Sequence, residues 1–152
     1  RDRFLTIGQA KVSTSAFEAF DLGYLREGID EIVISREEQL TRAKQSCLAM
    51  AAKGYTAPIR QKNIKIMGQE GLGIVYVGAN SMVSGNYMSE HDRVISEKLG
   101  FVLCGGDISE NAIVSEQYLL DLERKAFVEL CIERKTLERL ESIVKKGKIL
   151  RN

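Results

Sequence analysis

The sequence predicts a mainly α protein with at most one or two short strands. Apolar residues recur at three- and four-residue spacing over most of the chain, serine capping signals precede several of these segments, and strand-like alternation is rare. The 152 residues are 44% hydrophobic and 28% charged, which is ordinary usage for a chain that folds around a core.

A short capped helix is predicted within residues 10–25. Ser15 and Glu18 have the spacing of a capping box, and Gly23 suits the left-handed conformation that ends a helix. Upstream, the apolar residues from Phe4 to Ile7 resemble the middle of a helix. The first part of the chain therefore contributes helices.

A strand candidate at residues 31–34 is followed by a long helix that runs to about Lys53. Ser35 and Glu38 predict its capping box, and Gly54 predicts its end. The spacing of its apolar residues predicts one buried stripe, made of Leu40, Ala43, Cys47, Leu48, Met50 and Ala51.

The best linker in the sequence is residues 55–62. It contains Pro58, which lacks an N–H group and biases Ala57 away from the helical region. We therefore predict a domain boundary that separates residues 1–57 from residues 58–152. Residues 63–66 open the second part as a short strand or edge.

Four helices are predicted in the second part of the chain. The first contains four glycines, so it should form only where close helix packing compensates for their low helix propensity. Glycines at 105–106 should stop the second helix, and the last two should pack as a hairpin. The predicted helices cover residues 70–86, 89–104, 115–131 and 133–146.

Composition argues against several classes of protein. The net charge of +1 gives no basic field for nucleic acid, and no apolar run approaches the roughly 20 residues that a membrane helix needs. We therefore expect a soluble cytoplasmic chain. Cys47, Cys104 and Cys131 lie far apart in apolar helical segments, so they are expected to be reduced core thiols.

Several segments resemble one known enzyme family. Ala16, Glu18, Ala19 and residues 23–25 are similar to a helix of the crotonase (enoyl-CoA hydratase/isomerase) superfamily that follows the active-site core. The runs at 89–92, 115–124 and 147–152 are similar to the tails of the bifunctional 3-hydroxyacyl-CoA dehydrogenase/enoyl-CoA hydratases of fatty-acid β-oxidation.

This resemblance implies that residues 1–57 end a crotonase-like domain and that residues 58–152 form a helical tail. The family's nucleotide-binding glycine loop and thioester-binding core have no counterpart here, and the chain begins without methionine, so we expect a C-terminal fragment. The parent would use NAD and a CoA thioester, whereas the fragment would hold no cofactor, lack activity and serve in packing and assembly. Its expected partners are the rest of the parent, acyl-CoA and other copies of itself. The alternatives are a free-standing helical interaction module and an independent acyl-CoA binding protein.

The sequence offers no catalytic or metal-binding residues. His91 lies between two acidic residues, but adjacent positions on a helix do not face each other, so a structural role is favoured over a catalytic one. Residues 68–73 are rich in glycine but lack the order and the lysine of a phosphate-binding loop. A single histidine and widely spaced cysteines argue against structural zinc.

One cluster near the end of the chain has two interpretations. Four cations lie within eight residues without an acid between them, namely Lys145, Lys146, Lys148 and Arg151. The simpler interpretation is a solvated tail. The functional one, which rests on the resemblance, is that these side chains contact the phosphate groups of CoA.

Overall fold

The computed structural model describes residues 2–152. Seven helices and two short strands lie in this range, so the predicted mainly α class is confirmed. The elements are α1 (Asp2–Gly8), α2 (Ala16–Asp21), α3 (Gln39–Ala52), β1 (Ile64–Ile66), α4 (Gly68–Ser84), α5 (Glu90–Leu103), β2 (Ala112–Val114), α6 (Glu116–Cys131) and α7 (Arg134–Lys146).

The described chain divides into two compact units. The smaller unit is residues 9–59, and the larger unit combines residues 2–8 with residues 60–152. The division at Ile59 and Arg60 lies within the predicted linker, where the chain has no helix or strand between Gly54 and Ile64. That the two parts are a crotonase-like end and a tail domain stays a prediction.

In the smaller unit, α2 begins and ends as local chemistry predicts. Ser15 accepts a hydrogen bond from the Glu18 backbone N–H at 3.1 Å, and Gly23 has a φ of 70°. The second half of the predicted capping box differs, because the Glu18 carboxylate accepts from the backbone N–H of Thr14 at 2.6 Å. Together with the Thr14 hydroxyl, this bond lowers the pKa of Glu18.

Two predictions in the smaller unit are wrong at the local level. Residues 31–34 form no strand, and α3 is capped at Glu38 without a side-chain hydrogen bond. The Ser35 hydroxyl instead donates to the carboxylate of Glu37 at 2.9 Å, so Ser35 is engaged in a turn four residues before the helix starts. The predicted end is confirmed, since Lys53 caps α3 and Gly54 follows with a φ of 74°.

The predicted buried stripe of α3 is also wrong. No residue of this helix is buried, and Leu40 is 82% exposed. The expected core environment of Cys47 is wrong for the same reason, since this thiol is exposed. The apolar spacing is present, but a stripe becomes a core only where another surface covers it.

In the larger unit, β1 and β2 pair antiparallel, with Ile64 opposite Val114 and Ile66 opposite Ala112. The predicted strand at 63–66 is confirmed as β1, whereas β2 was not predicted. Gln61 extends the pairing, because its carbonyl accepts from the Glu116 backbone N–H at 2.8 Å. The antiparallel pairing therefore places the start of α6 beside the residues that precede β1, and the start of α4 at the opposite end of the two strands.

Small residues let α4 and α5 pack closely in part of their contact. A Cβ added at Gly100 would lie 2.6 Å from Val75, and one at Gly71 would lie 2.9 Å from the sulfur of Cys104. Gly73 and Gly78 contradict the expectation that packing explains the glycines, because an added Cβ at either position meets no atom within 4 Å.

Helices α5 and α6 begin after the predicted cap serines, whereas α7 follows Glu133 without a side-chain cap. Ser89 and Asp92 form a capping box at α5, and Ser115 accepts from the Tyr118 backbone N–H at α6. The predicted α6–α7 hairpin is present as neighbouring helices, although the contact is small and Val144 of α7 is 84% exposed. Small and polar residues make much of the buried interior, namely Ala79, His91, Ser96, Gly100, Ala126 and Thr136.

Candidate functional site

The candidate site is a cleft beside the first turn of α4, which we call the α4 cleft. Its volume is about 410 Å³, within the range typical of ligand pockets. It lies wholly in the larger unit and is lined by Gln69, Leu72, Gly73, Tyr76, Phe101 and Asp107.

The start of α4 is fixed against the loop that follows α5. Gly68 has a φ of 57°, and a Cβ added there would clash with the carbonyl oxygens of Ile108 and Glu110. The backbone N–H of Gly68 donates to Cys104 at 2.9 Å, and that of Gln69 donates to Ile108 at 2.8 Å. A glycine is therefore required at position 68, directly before Gln69, the first residue that lines the cleft.

These bonds also decide the role of the glycine-rich run at 68–73. A phosphate-binding loop needs free backbone N–H groups, but those of Gly68 and Gln69 already donate to carbonyl oxygens within the fold. The run instead forms the start of α4, where Gly68 and Gly71 are closely packed. The structure supports the structural interpretation of this segment.

The polar end of the α4 cleft is a pair of side chains. Gln69 Nε2 donates to Asp107 Oδ1 at 2.6 Å, and Asp107 has no ion-pair partner in residues 2–152. Tyr76 and Phe101 also line the cleft, and the buried Leu72 supplies apolar surface. The cleft is thus amphipathic, with a single charge of negative sign.

A second cleft of about 370 Å³ involves the neighbouring face of the same turn. It is lined by Met67, Glu70, Ser109, Glu110 and Asn111. Among the described residues, no group of three or more histidine, cysteine, aspartate or glutamate side chains is arranged to hold a metal ion.

His91 lies in neither cleft. It is buried, and its Nε2 lies 3.0 Å from the hydroxyl of Thr136 on α7. Burial lowers the pKa of His91, and the nearby charges of Arg139 and Lys135 lower it further. The neutral ring therefore joins α5 to α7, which agrees with the structural role favoured from the sequence.

A polar network at the same helix contact was missed by sequence reasoning. Arg139 Nη1 donates to Asp92 Oδ1 at 2.6 Å, and Arg139 Nε donates to the Asn152 side chain at 2.8 Å. Burial acts to raise the pKa of Asp92, but hydrogen bonds from Arg139 and Ser89 outweigh it, so the pKa is lowered. The network holds the last residue against α7.

The predicted phosphate-binding cations lie on the surface at and after the end of α7. Lys145 is bonded to the carboxylate of Glu141, so its charge is partly satisfied. Lys146, Lys148 and Arg151 are exposed and have no ion-pair partner in the described chain. The Ser142 hydroxyl donates to the Lys148 carbonyl at 2.9 Å, which fixes the start of the tail.

The three cysteines differ in environment. Cys104 is buried, and burial raises the pKa of its thiol, whereas Cys131 is partly exposed and Cys47 is exposed. All three are free thiols, as predicted. Within residues 2–152, no helix has both the length and the apolar character required to cross a membrane.

Comparisons with known proteins give one informative similarity. No model of a protein family matches the chain, and no solved structure matches it. The chain is 39% identical over 149 residues to the "Probable 3-hydroxyacyl-CoA dehydrogenase" of Bacillus subtilis (strain 168). The alignment covers 98% of this chain and 19% of that protein, so the chain spans about a fifth of the length of this curated relative.

Proposed function

We propose that this chain is a region of a 3-hydroxyacyl-CoA dehydrogenase that acts in fatty-acid β-oxidation. The observation that carries the proposal is 39% identity sustained over 98% of the chain. The complete enzyme would oxidise a 3-hydroxyacyl-CoA with NAD as hydride acceptor, and the resemblance of residues 16–25 to the crotonase helix adds enoyl-CoA hydratase activity.

The contribution of this region is packing and assembly. Several helices carry apolar side chains that nothing in the described chain covers, including Leu40 on α3 and Val144 on α7. Such surfaces are typical of interaction sites. Their partners are the rest of the enzyme and further copies of it, which fits the large share of the relative that lies outside the aligned region.

The test compares the 152-residue chain with the protein encoded by the complete reading frame that contains it. With 3-hydroxyacyl-CoA and NAD, the complete protein should form NADH, and the isolated chain should form none. With enoyl-CoA as the substrate, a loss of its absorbance measures hydratase activity in the same two preparations. A complete protein without NADH formation, or turnover by the isolated chain, would contradict the proposal.

In this proposal, the basic cluster also contacts the CoA part of the substrate. Lys146, Lys148 and Arg151 are exposed cations that form no ion pair within residues 2–152, which suits them to the phosphates at the nucleotide end of CoA. Lys145 contributes less, because Glu141 already partly satisfies its charge.

A calorimetric titration with CoA tests this role. Changing Lys146, Lys148 and Arg151 to alanine should abolish binding, whereas changing three exposed cations of the smaller unit, Lys11, Lys44 and Lys53, should leave it intact. Removing the 3′-phosphate from CoA should weaken binding both to the original chain and to this control variant, because both keep the basic cluster. Equal losses in both triple variants would show that general charge, and not this cluster, attracts CoA.

The exposed stripe of α3 also fits a free-standing interaction module, which is the alternative function. An upstream dehydrogenase domain in the same reading frame would exclude this alternative. Binding of an unrelated protein to the complete enzyme would not support this alternative, because the chain would then be part of a dehydrogenase and not a free-standing module.

A further inference from the structure

The α4 cleft has features of a binding site that the proposed function does not use. We propose that it binds an organic cation, a guanidinium or primary ammonium group carried on a short apolar stem. The proposal concerns a different part of the larger unit from the basic cluster, so it can fail or succeed independently of CoA binding.

The charge of the lining selects a cation. Of the six residues that line the α4 cleft, one is a carboxylate and none is lysine, arginine or histidine. Asp107 uses one oxygen to accept from Gln69, which leaves Asp107 Oδ2 and Gln69 Oε1 without a partner in the described chain. Two free acceptors and no free cation are complementary to a group that offers several N–H donors.

The walls of the cleft suit both the charge and its stem. Tyr76 and Phe101 place two aromatic rings at the cleft, and the face of such a ring attracts a cation. Leu72 is buried at the same place and gives an apolar surface for methylene groups. A simple inorganic cation would not use this apolar part of the lining.

Gly73 keeps the cleft open. It lies inside α4, where glycine is a poor helix former, and no packing contact explains it because an added Cβ meets no atom within 4 Å. A larger side chain at this position would occupy the cleft. Gly78 lies on the same helix with equally open surroundings but does not line the cleft, so it provides a matched control.

The first experiment titrates the ¹⁵N-labelled 152-residue chain with N-butylguanidinium and follows the amide signals by NMR. The expected result is saturable shifts centred on residues 69–76 and 101–107. Butylurea has nearly the same shape without the charge, and it should bind at least about tenfold more weakly. Absence of saturation, or equal binding of butylurea, would overturn the proposal.

Variants then test the individual residues. Asp107→Asn should weaken N-butylguanidinium binding about tenfold, and Gly73→Leu should abolish it, whereas Gly78→Leu should bind as the original chain does. Thermal melting of each variant verifies folding, and Gly73→Ala serves as a smaller change if Gly73→Leu unfolds. Undiminished binding by a folded Gly73→Leu variant would show that the cation binds elsewhere.

The same chemistry could come from a free metabolite or from an arginine side chain of a polypeptide. The peptide acetyl-Gly-Arg-Gly-amide distinguishes these sources when it is titrated beside N-butylguanidinium. Binding about tenfold tighter for the peptide assigns the cleft to a polypeptide, because neighbouring backbone groups then add contacts. Equal or weaker binding of the peptide assigns it to a free cation.

Discussion

Replacing Arg139 with methionine should destabilise the larger unit by about 2–3 kcal/mol, since a hydrogen bond to a charged group contributes about 1.5–3 kcal/mol and losing one partner of a buried pair costs more. The Arg139 side chain is 16% exposed and that of Asp92 is 27% exposed, so the pair is only partly screened by water. The change removes the bond to Asp92 and also the bonds to Asn152. Methionine keeps much of the apolar stem, so the loss reports mainly on the charge.

Urea unfolding followed by circular dichroism measures this effect, with Arg134→Met as the control. Arg134 lies on the same helix and pairs with Glu138, but its side chain is 92% exposed, so its loss should be small. The pH dependence gives a second measurement. Because the folded pKa of Asp92 is lowered, its contribution is present above the unfolded pKa of about 3.9 and is lost as the pH falls through the folded value.

The Arg139→Met variant should lose less stability than the original chain over this acidic range, because Asp92 no longer gains from ionisation to the same extent. If Arg139→Met and Arg134→Met are equally stable, the network does not hold α7 and the reasoning from burial is wrong.

Three further predictions follow from single positions. The pKa of His91 is lowered in the folded chain, so the unfolded chain binds a proton at this histidine more readily. The free energy of unfolding should therefore fall as the pH drops below about 6.5. Urea unfolding at several pH values should show that a His91→Gln variant loses this pH dependence. Gly78→Ala should raise the free energy of unfolding by about 0.8–1.0 kcal/mol. Gly68→Ala should lower it by more than about 2 kcal/mol, because Gly68 has a positive φ and an added Cβ would clash with Ile108 and Glu110. Thermal melting measures both variants, and a Gly68→Ala variant more stable than Gly78→Ala would contradict these predictions. A maleimide reagent should modify Cys47 well before Cys104, and equal rates by mass spectrometry would contradict the burial of Cys104.

Local chemistry explains which elements the sequence could predict. Ser15, Ser89 and Ser115 cap helices because a hydroxyl and a backbone N–H a few residues apart need no other part of the chain. The prediction that the apolar stripe of α3 is buried was wrong, because burial needs a covering surface that the spacing of residues does not supply. Pattern therefore predicts an element more reliably than it predicts what the element contacts.

The candidate site lay beyond prediction for a related reason. Asp107 meets Gln69 across 38 positions, and Arg139 meets Asp92 across 47, so no local motif joins either pair. The one available signal was Gly73, a glycine inside an otherwise helical apolar pattern. Sequence reasoning noticed the glycine-rich run but had no means to place the aromatic rings beside it.

The contacts of α7 connect its stability to the proposed assembly role. A buried bond of His91 and a part-buried bond of Arg139 fix one side of this helix, while Leu137, Ile143 and Val144 remain exposed. Burying a fully exposed side chain of this kind gains about 1.5–3 kcal/mol, and the half-exposed Leu137 and Ile143 would each gain about half of that. Since the helix is already held in place, a partner surface would gain this energy without first ordering α7. Loss of Arg139 should then weaken docking to the rest of the enzyme as well as folding.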